Sequence, residues 1–327
     1  MNRFEYGRPT TVAEAIGLLS EKADEVAPLA GGTDLLSLMK DFVVEPKRLV
    51  SLMGVAELRG VQGAGPGLSI GATTTIEELL AHADLGTKWP ALRQAAEGIR
   101  SPQLRAMGTV GGELLQRPRC WYFRHGHGLL AVDPKGDSLV VKGDHRYHAV
   151  LGNAGAAKFV NPSSLAPALI ALRASARIVG RKGERTVLVA DLYRTPARSG
   201  EREFTVAPDE VLTHVLVPGG GERSATCEIR PRQGLDWPLA TASAALTMDG
   251  AKVKSAEIVL GHVAPRPWIA EAAGKGLAGR APDEAALAAA AEAAVAGAAP
   301  LPMNRYKVNL ARVAVRRALA AAAGLKS

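Results

Sequence analysis

The stretch that decides the fold runs through two glycines, from a short apolar strand into a helix: Leu29-Ala30-Gly31-Gly32-Thr33-Asp34-Leu35-Leu36. Adjacent glycines let backbone N–H groups approach an anion, and the start of a helix adds a favourable dipole. Thr33 supplies a hydroxyl donor. The same pattern also fits a plain strand-to-helix turn, so this loop alone leaves anion binding and a structural turn equally open.

A second loop later in the chain repeats the same chemistry: Arg105-Ala106-Met107-Gly108-Thr109-Val110-Gly111-Gly112-Glu113. It again combines a hydroxyl group, paired glycines and backbone amides that we expect to be exposed. Two such loops, well separated in sequence, can grip one diphosphate from two sides. The pair therefore favours a phosphate-binding site over two unrelated turns.

The segments around the first loop alternate between helix and strand, which is typical of an α/β unit. The pattern predicts a helix over residues 11–20, strands over 27–30 and 49–52, and a helix opening at Leu35. Residues 60–75 are predicted to form a hairpin. The glycines at its turn are not a dinucleotide motif, because Pro66 and a following strand leave no helix N-terminus for a pyrophosphate.

The remaining elements divide into two groups at a boundary near residue 222. Before it we predict helices over 76–83, 91–99 and 165–172, strands over 176–179, 185–189 and 211–217, an irregular segment over 117–160, and an exposed loop over 193–202. After it we predict strands over 226–230, 246–248 and 255–260, a helix from about Pro238, and two long Ala-rich helices.

Composition excludes several classes of protein. The net charge is +8, but the basic residues are dispersed, so we expect no nucleic-acid partner. Two cysteines, Cys120 and Cys227, cannot build a disulfide framework or a zinc motif, and they suit a reducing compartment. The first residues lack the apolar core of a secretory signal, and no apolar run is long enough to span a membrane.

The two glycine loops resemble those of the FAD-binding (medium) subunit of the xanthine dehydrogenase, carbon monoxide dehydrogenase and aldehyde oxidoreductase family of molybdenum hydroxylases. The similarity extends along nearly the whole chain and is greatest to the aldehyde oxidoreductase branch. Its further segments are residues 70–75, 114–124, 146–149, 232–239, 261–267 and 304–308.

The resemblance implies an α/β (α+β) fold with two domains. Residues 1–222 would form a two-subdomain FAD-binding domain of the PCMH type, with subdomains over about 1–55 and 56–222 and an insertion over about 117–160. Residues 223–327 would form a C-terminal α/β domain like that of the CO dehydrogenase flavoprotein.

The resemblance also implies an electron relay. The chain would bind FAD non-covalently, take electrons from a [2Fe–2S] subunit and pass them to an external acceptor. A separate large subunit with the molybdenum cofactor would oxidise an aldehyde or N-heterocycle. We expect a cytoplasmic protein, with export beside a signal-bearing partner left open. Two alternatives also remain open, a stand-alone flavin oxidase of the vanillyl-alcohol type and a flavin-free scaffold.

No residue of this chain needs to act as a catalytic acid or base in such a relay, since the cofactor carries the redox chemistry. The expected cofactor-binding residues lie in the two loops and in the segments that resemble the family's flavin contacts. They are Leu29, Ala30, Gly31, Gly32, Thr33, Asp34, Leu35, Thr73, Ile99, Gly108, Thr109, Gly111, Gly112, Glu113, Ser164, Leu212 and Glu228.

The insertion differs from the family pattern in its cysteines, and this difference leads to a separate prediction. The aldehyde oxidoreductase branch holds a [4Fe–4S] cluster in the insertion on four cysteines, whereas this chain offers Cys120, Gly128, Ser138 and Ala157 at those positions. We therefore expect no [4Fe–4S] cluster in this chain. Aromatic side chains would hold the insertion instead: Trp121, Tyr122 and Phe123 at its start, Tyr147 at its end.

Two flavin-binding positions also differ from the family pattern, and the histidines of the insertion need a separate interpretation. Ser164 replaces an Asp that would contact the flavin, and Glu228 replaces a Lys of the animal xanthine oxidases. Four histidines lie in the insertion (His125, His127, His145 and His148). We interpret them as hydrogen-bonding loop residues rather than as metal ligands, since carboxylate partners are not evident.

Overall fold

The computed structural model describes residues 1–232 and 234–325, so Gln233, inside the segment 232–239, lies outside the described residues. The described residues form three β-sheets, each covered by helices. Within the described ranges no helix combines the length and the apolarity that a membrane crossing needs.

The first sheet is small and parallel and carries the first glycine loop. Its strands are β1 (Glu5–Gly7), β2 (Val26–Leu29) and β3 (Arg48–Ser51), in the order β1-β3-β2. Helix α1 (Val12–Leu18) begins at Thr11, whose hydroxyl accepts a hydrogen bond from Glu14 N–H. Helix α2 (Leu35–Lys40) follows β2 directly. The predicted alternation of strand and helix is confirmed, and it places residues 30–34 at the carboxyl end of β2.

The second sheet is antiparallel and supports the second glycine loop. Its five strands, in spatial order, are β4 (Val61–Ala64), β5 (Gly67–Gly71), β8 (Val211–Val217), β6 (Ser175–Gly180) and β7 (Gly183–Leu188). The predicted hairpin is β4 and β5. The helices that pack around this sheet are α3 (Ile76–Leu80), α4 (Leu85–Lys88), α5 (Pro90–Gly98), α7 (Val110–Leu114) and α10 (Leu165–Ala171). Helix α6 (Pro102–Met107) has no buried residue and contacts α3.

The insertion contains only two single-turn helices, α8 (Trp121–Arg124) and α9 (Leu139–Lys142), and is otherwise irregular, as predicted. The predicted exposed loop over 193–202 is wrong at its start. Tyr193 is buried, its hydroxyl donates to the carbonyl of Leu114 at 3.0 Å, and its ring packs against Phe204. A large aromatic side chain whose hydroxyl forms a hydrogen bond is stable in a core. The sequence pattern predicted exposure because the residues that follow Tyr193 are mostly polar.

The third sheet forms the C-terminal domain. Its strands, in spatial order, are β12 (Trp268–Ile269), β11 (Lys252–Gly261), β10 (Ala240–Asp249) and β9 (Ser224–Ile229). Helices α11 (Glu271–Leu277), α12 (Glu284–Val295) and α13 (Tyr306–Ala323) cover it, and the last two are the predicted Ala-rich helices.

The helix predicted from about Pro238 is wrong, because residues 240–249 form the long strand β10. Alanine favours helices in isolation, but propensity is a weak guide when tertiary packing decides. β10 pairs with β9 on one side and β11 on the other, and residues 240–244 are all buried. Small side chains are what such a doubly covered central strand can accommodate.

Candidate functional site

The two glycine loops meet at van der Waals contact. A Cβ atom on Gly31 would lie 1.6 Å from the carbonyl oxygen of Met107, so no side chain fits there without moving the second loop. Gly32 has φ +72°, in the left-handed region that favours glycine. The first loop thus depends on both of its glycines, one for close approach and one for backbone conformation.

The backbone amides of the two loops differ in how they are used. Among the described residues, the N–H groups of Gly31, Gly32 and Thr33 find no hydrogen-bond acceptor. In the second loop, Val110 N–H donates to the Thr74 carbonyl and Gly111 N–H to the Ala72 carbonyl. The expectation of exposed amides is therefore met by the first loop and is wrong for this part of the second.

Thr109 explains the difference. It is the N-cap of α7, and its hydroxyl oxygen accepts from Gly112 N–H at 3.1 Å. Gly111 and Gly112 are thereby part of a helix rather than of a free loop. The second loop acts as the wall that the first loop faces.

Two adjoining cavities open along this contact. They share Thr33, Asp34, Thr109, Gly112 and Gln116 in their walls and have volumes of about 220 and 240 Å³. Each alone is smaller than a typical small-molecule pocket of roughly 300–1,000 Å³. Joined end to end, they suit one long ligand that passes the glycine loops at its middle.

All but one of the expected cofactor-binding residues line these cavities. The first cavity is lined by Leu29, Ala30, Gly31, Gly32, Thr33, Asp34, Leu35, Thr73, Thr109, Gly111, Gly112 and Leu212. The second adds Ile99, Gly108, Glu113 and Ser164. The hydroxyl of Thr73 already donates to the Leu58 carbonyl at 2.9 Å, so it is engaged within the protein.

Glu228 is the exception, since it lines neither cavity. Its carboxylate forms an ion pair with Arg230 and packs behind Gly98, at the end of α5. It is close enough to Glu113 to raise the pKa of that carboxyl group. Glu228 therefore affects the second cavity from behind its wall, through its charge and through its contacts with Arg230 and Gly98, which line that cavity.

Asp34 is the centre of an arginine cluster that the sequence patterns did not reveal. Its Oδ2 accepts from the backbone N–H of Arg117 at 2.8 Å, and its Oδ1 accepts from Arg124 at 2.7 Å and pairs with Arg119 at 3.0 Å. All three arginines come from the start of the insertion. Their spacing, two residues and then five, is the only sequence signal that could have indicated the cluster.

Glu113 ties the second loop to the start of α10. Its carboxylate accepts from the Ser163 hydroxyl at 2.5 Å, from Ser164 N–H at 2.6 Å and from Leu165 N–H at 3.3 Å. Desolvation raises the pKa of Glu113 to about 7, while the bonds from Ser163 and Ser164 limit the rise. The side chain faces the second cavity but is already committed to α10.

Two arginine nitrogens without a hydrogen-bond partner indicate the charge of the ligand that the cavities accept. In the described part of the chain, Arg119 Nε and Arg202 Nε are buried without a hydrogen-bond partner. Arg119 lines the second cavity and Arg202 the first. Buried donors of this kind fit an anionic, acceptor-rich ligand, because an unsatisfied donor costs about 1–3 kcal/mol. Together with the free amides of the first loop, they fit a dinucleotide with a diphosphate at its centre.

The C-terminal domain closes the second cavity. Arg230 donates to the Asp236 carbonyl at 2.7 Å and to the Gly98 carbonyl at 2.5 Å, which holds the segment after β9 against α5. Trp237 and Pro238 complete the wall. The first cavity, in contrast, is lined only by residues up to Leu212.

The insertion is held by side chains, as predicted. The ring centroid of Trp121 lies 5.6 Å from that of Tyr147 and 5.7 Å from that of His148. Cys120 Sγ lies 3.1 Å from His148 Nε2. No group of three or more His, Cys, Asp or Glu side chains in the described ranges is arranged to hold a metal ion.

Lys307, at the start of α13, secures the end of the insertion. It is buried, and its Nζ donates to the carbonyls of Tyr147 (2.9 Å), His148 (3.2 Å) and His262 (2.8 Å). Burial lowers the pKa of Lys307 to about 7, whereas the three carbonyl acceptors favour the charged ammonium. Lys307 lies in the segment 304–308 that resembles the family, but the sequence did not predict its structural role, because its three acceptors are distant along the chain.

Fold and site together define a two-domain dinucleotide-binding protein whose cleft is built around paired glycine loops. Residues 2–220 match the sequence profile of the FAD binding domain in molybdopterin dehydrogenase. Residues 225–322 match that of the CO dehydrogenase flavoprotein C-terminal domain. The chain belongs to this family of FAD-binding subunits of molybdenum hydroxylase-type oxidoreductases.

Two relatives and a solved structure illustrate the similarity. The chain is 32% identical to the carbon monoxide dehydrogenase medium chain of Afipia carboxidovorans, covering 97% of this chain and 95% of the relative. It is also 32% identical to the aldehyde oxidoreductase FAD-binding subunit of Escherichia coli, covering 98% and 99%. A structure of reconstituted CO dehydrogenase from Oligotropha carboxidovorans superposes with a TM-score of 0.76 at 29% identity, covering 99% of both chains. The family and the α/β fold class expected from the sequence are confirmed.

Proposed function

We propose that this chain is the FAD-carrying electron relay of a heteromeric molybdenum hydroxylase. It would take electrons from a [2Fe–2S] subunit and pass them to an external acceptor, while a molybdenum-cofactor subunit oxidises an aldehyde or an N-heterocycle. The observation that carries the proposal is the two-part cavity, which has free amides at its middle and walls from both domains. The similarity to the medium chain of a CO dehydrogenase and to an aldehyde oxidoreductase subunit supports the same role.

Each part of the cavity has a distinct task in this proposal. The amides of residues 31–33 hold the diphosphate, with Thr109 and the start of α7 opposite them. The first cavity takes the adenosine half, against Leu29 and Leu212. The second takes the isoalloxazine half, between Ile99 and the C-terminal segment at Trp237. Bound FAD supplies a group that collects single electrons and releases a pair.

A stand-alone flavin oxidase would need a free base beside the isoalloxazine ring. Glu113 is the carboxylate with a raised pKa in that wall, but its oxygens accept from Ser163, Ser164 and Leu165. It therefore orients the wall instead of abstracting a substrate proton. A flavin-free scaffold is disfavoured by the unfilled amides of the first loop, which would have no role.

We also propose the domain limits, partners and location that go with this role. The boundary falls near residue 222, between the end of β8 and the start of β9. The partners are a molybdenum-cofactor large subunit and a [2Fe–2S] small subunit. A cytoplasmic location, with export beside a signal-bearing partner left open, is supported by the two free thiols at Cys120 and Cys227.

Co-expression with candidate partner chains tests the relay directly. The flavin band of the complex should bleach when an aldehyde or N-heterocycle is added without oxygen. The isolated subunit should keep its flavin oxidised under the same conditions. Substrate oxidation by the isolated subunit at the rate of the complex would contradict the proposal.

A further inference from the structure

Arg119 belongs to the insertion, yet its side chain lies in the wall of the second cavity. Its Nη1 is 3.0 Å from Asp34 Oδ1, and its Nη2 donates to Gln116 Oε1 at 2.9 Å. The guanidinium carbon lies 4.6 Å from the ring centroid of Trp237. One guanidinium group thus joins the first glycine loop, the end of α7 and the C-terminal domain.

The charges around Arg119 do not balance. Asp34 is shared by Arg119 and Arg124, so one carboxylate faces two guanidinium groups. The neighbouring ion pairs do not change this excess, because Arg117 pairs with Glu203, Arg230 with Glu228 and Arg232 with Asp236. Glu113 also interacts with Arg119, but burial raises the pKa of its carboxyl group to about 7, so it offsets only part of the charge at neutral pH. Burial and Arg124 lower the pKa of Arg119, but an arginine keeps its proton in a protein. The second cavity therefore has a positive charge left over in its wall.

The guanidinium also has an unused donor. Arg119 Nε is buried and has no hydrogen-bond partner among the described residues, although both terminal nitrogens are engaged. A buried donor without an acceptor is unfavourable, which a ligand with an acceptor at this wall would correct. A hydrogen bond to a charged donor is also stronger than one between neutral groups.

We propose that Arg119 is a flavin-binding residue supplied by the insertion, which gives the isoalloxazine half of the cleft a hydrogen-bond donor and a fixed positive charge. This inference rests on the proposed function. Reduction of the flavin at neutral pH takes two electrons from the reductant and one proton from water, which leaves one net negative charge on the ring. A nearby guanidinium stabilises that charge in a low-dielectric site. The insertion thus retains a role without the thiolates for a cluster.

Four proteins test this inference: wild type, Arg119→Met, Arg119→Lys and the control Arg198→Met. Arg198 is an exposed arginine that pairs with Glu201, and neither residue lines a cavity wall. For each protein, the apoprotein is titrated with FAD, and the two-electron potential of the bound flavin is measured at pH 7.5 by dye equilibration. Full-length chain is used throughout.

We expect Arg119→Met to weaken FAD binding at least tenfold. Reduced flavin should lose a further tenfold relative to oxidised flavin, which lowers the two-electron potential by about 30 mV. Arg119→Lys keeps the positive charge but loses the planar set of guanidinium donors. The flavin potential should therefore stay near wild type while the FAD affinity falls. Arg198→Met should match wild type in both.

A bound flavin with the wild-type potential in Arg119→Met would overturn the inference, even if affinity or melting temperature falls, because packing alone would then explain the effect. Should the Met variant fail to fold, wild-type FAD affinity in Arg119→Lys would overturn it equally. Failure of the proposed function shows up differently, as a wild-type protein that binds no FAD at all.

Discussion

The two glycine loops look alike in sequence and do different work in the structure. In the first, the glycines come before the threonine and outside α2, and the amides of residues 31–33 have no acceptor in the described chain. In the second, Thr109 comes before Gly111 and Gly112 and caps α7, so these glycines lie inside a helix with their amides bonded. The order of hydroxyl residue and glycine, rather than their presence, separates an anion cradle from a helix start.

The largest effect should come from Gly31→Ala. The new Cβ would lie 1.6 Å from the Met107 carbonyl oxygen, so the two loops must separate. We expect FAD affinity to fall at least a hundredfold, as measured by titration of the apoprotein. The matched control is Gly63→Ala, where a Cβ meets nothing within 4 Å and binding should be unchanged. Stoichiometric FAD retained in Gly31→Ala would contradict the claim that the first loop, unlike the second, binds the diphosphate through its backbone.

Valine substitutions at Gly32 in the first loop and at Gly111 in the second test the difference between the two loops further. Gly32→Val should lower FAD affinity about tenfold or more, since φ +72° costs a β-branched residue upwards of about 1–2 kcal/mol and the loop must rearrange. Gly111→Val should also empty the site, but through packing, because its Cβ would lie 2.9 Å from that of Ala72. Its melting temperature should therefore fall in the apoprotein as well. An apoprotein with wild-type melting temperature but no FAD binding would assign the second loop a direct contact.

Glu113 gives the second loop a dependence on pH. Its carboxyl pKa is raised from 4.5 to about 7, so the folded state favours the protonated form. That contribution to stability is complete below pH 4.5 and is lost as the pH rises through about 7. Because the side chain faces an open cavity, we expect a modest loss, on the order of 1–2 kcal/mol between pH 5 and pH 8.

Urea unfolding of the apoprotein at pH 5 and pH 8 measures this effect. Glu113→Gln has no carboxyl group to titrate, so its free energy of unfolding should fall less than that of wild type over the same interval. A wild-type free energy that rises relative to the Gln variant between these pH values would show that Glu113 is stabilised as a carboxylate.

The smallest expected effect concerns the insertion, which should contain no [4Fe–4S] cluster. Cys120 faces His148, and Trp121, Tyr147 and the Lys307 ammonium hold the segment by side-chain contacts. An iron chelator should therefore leave the melting temperature unchanged. Four irons per chain, with a matching visible absorption that the chelator removes, would contradict this prediction.

The first loop, the strand–helix alternation at the start and the hairpin could be predicted because local patterns specify them. The residues of the first loop reached the cavity as expected, since a strand end and a helix start fix their place. Strand β10 could not be predicted, because its alanines owe their conformation to β9, β11 and α13. Nor could Lys307 or the Asp34 cluster, whose partners are distant in sequence. Propensity is local, whereas these interactions exist only after the domains have packed.

The central claim is that this chain carries FAD, and the cofactor content of the purified protein tests it most directly. The subunit should show a flavin absorption spectrum, and denaturation should release one FAD per chain into the supernatant, because neither loop contains a histidine or cysteine for a covalent link. A colourless subunit that takes up no FAD, alone or after co-expression with its partner chains, would contradict the claim.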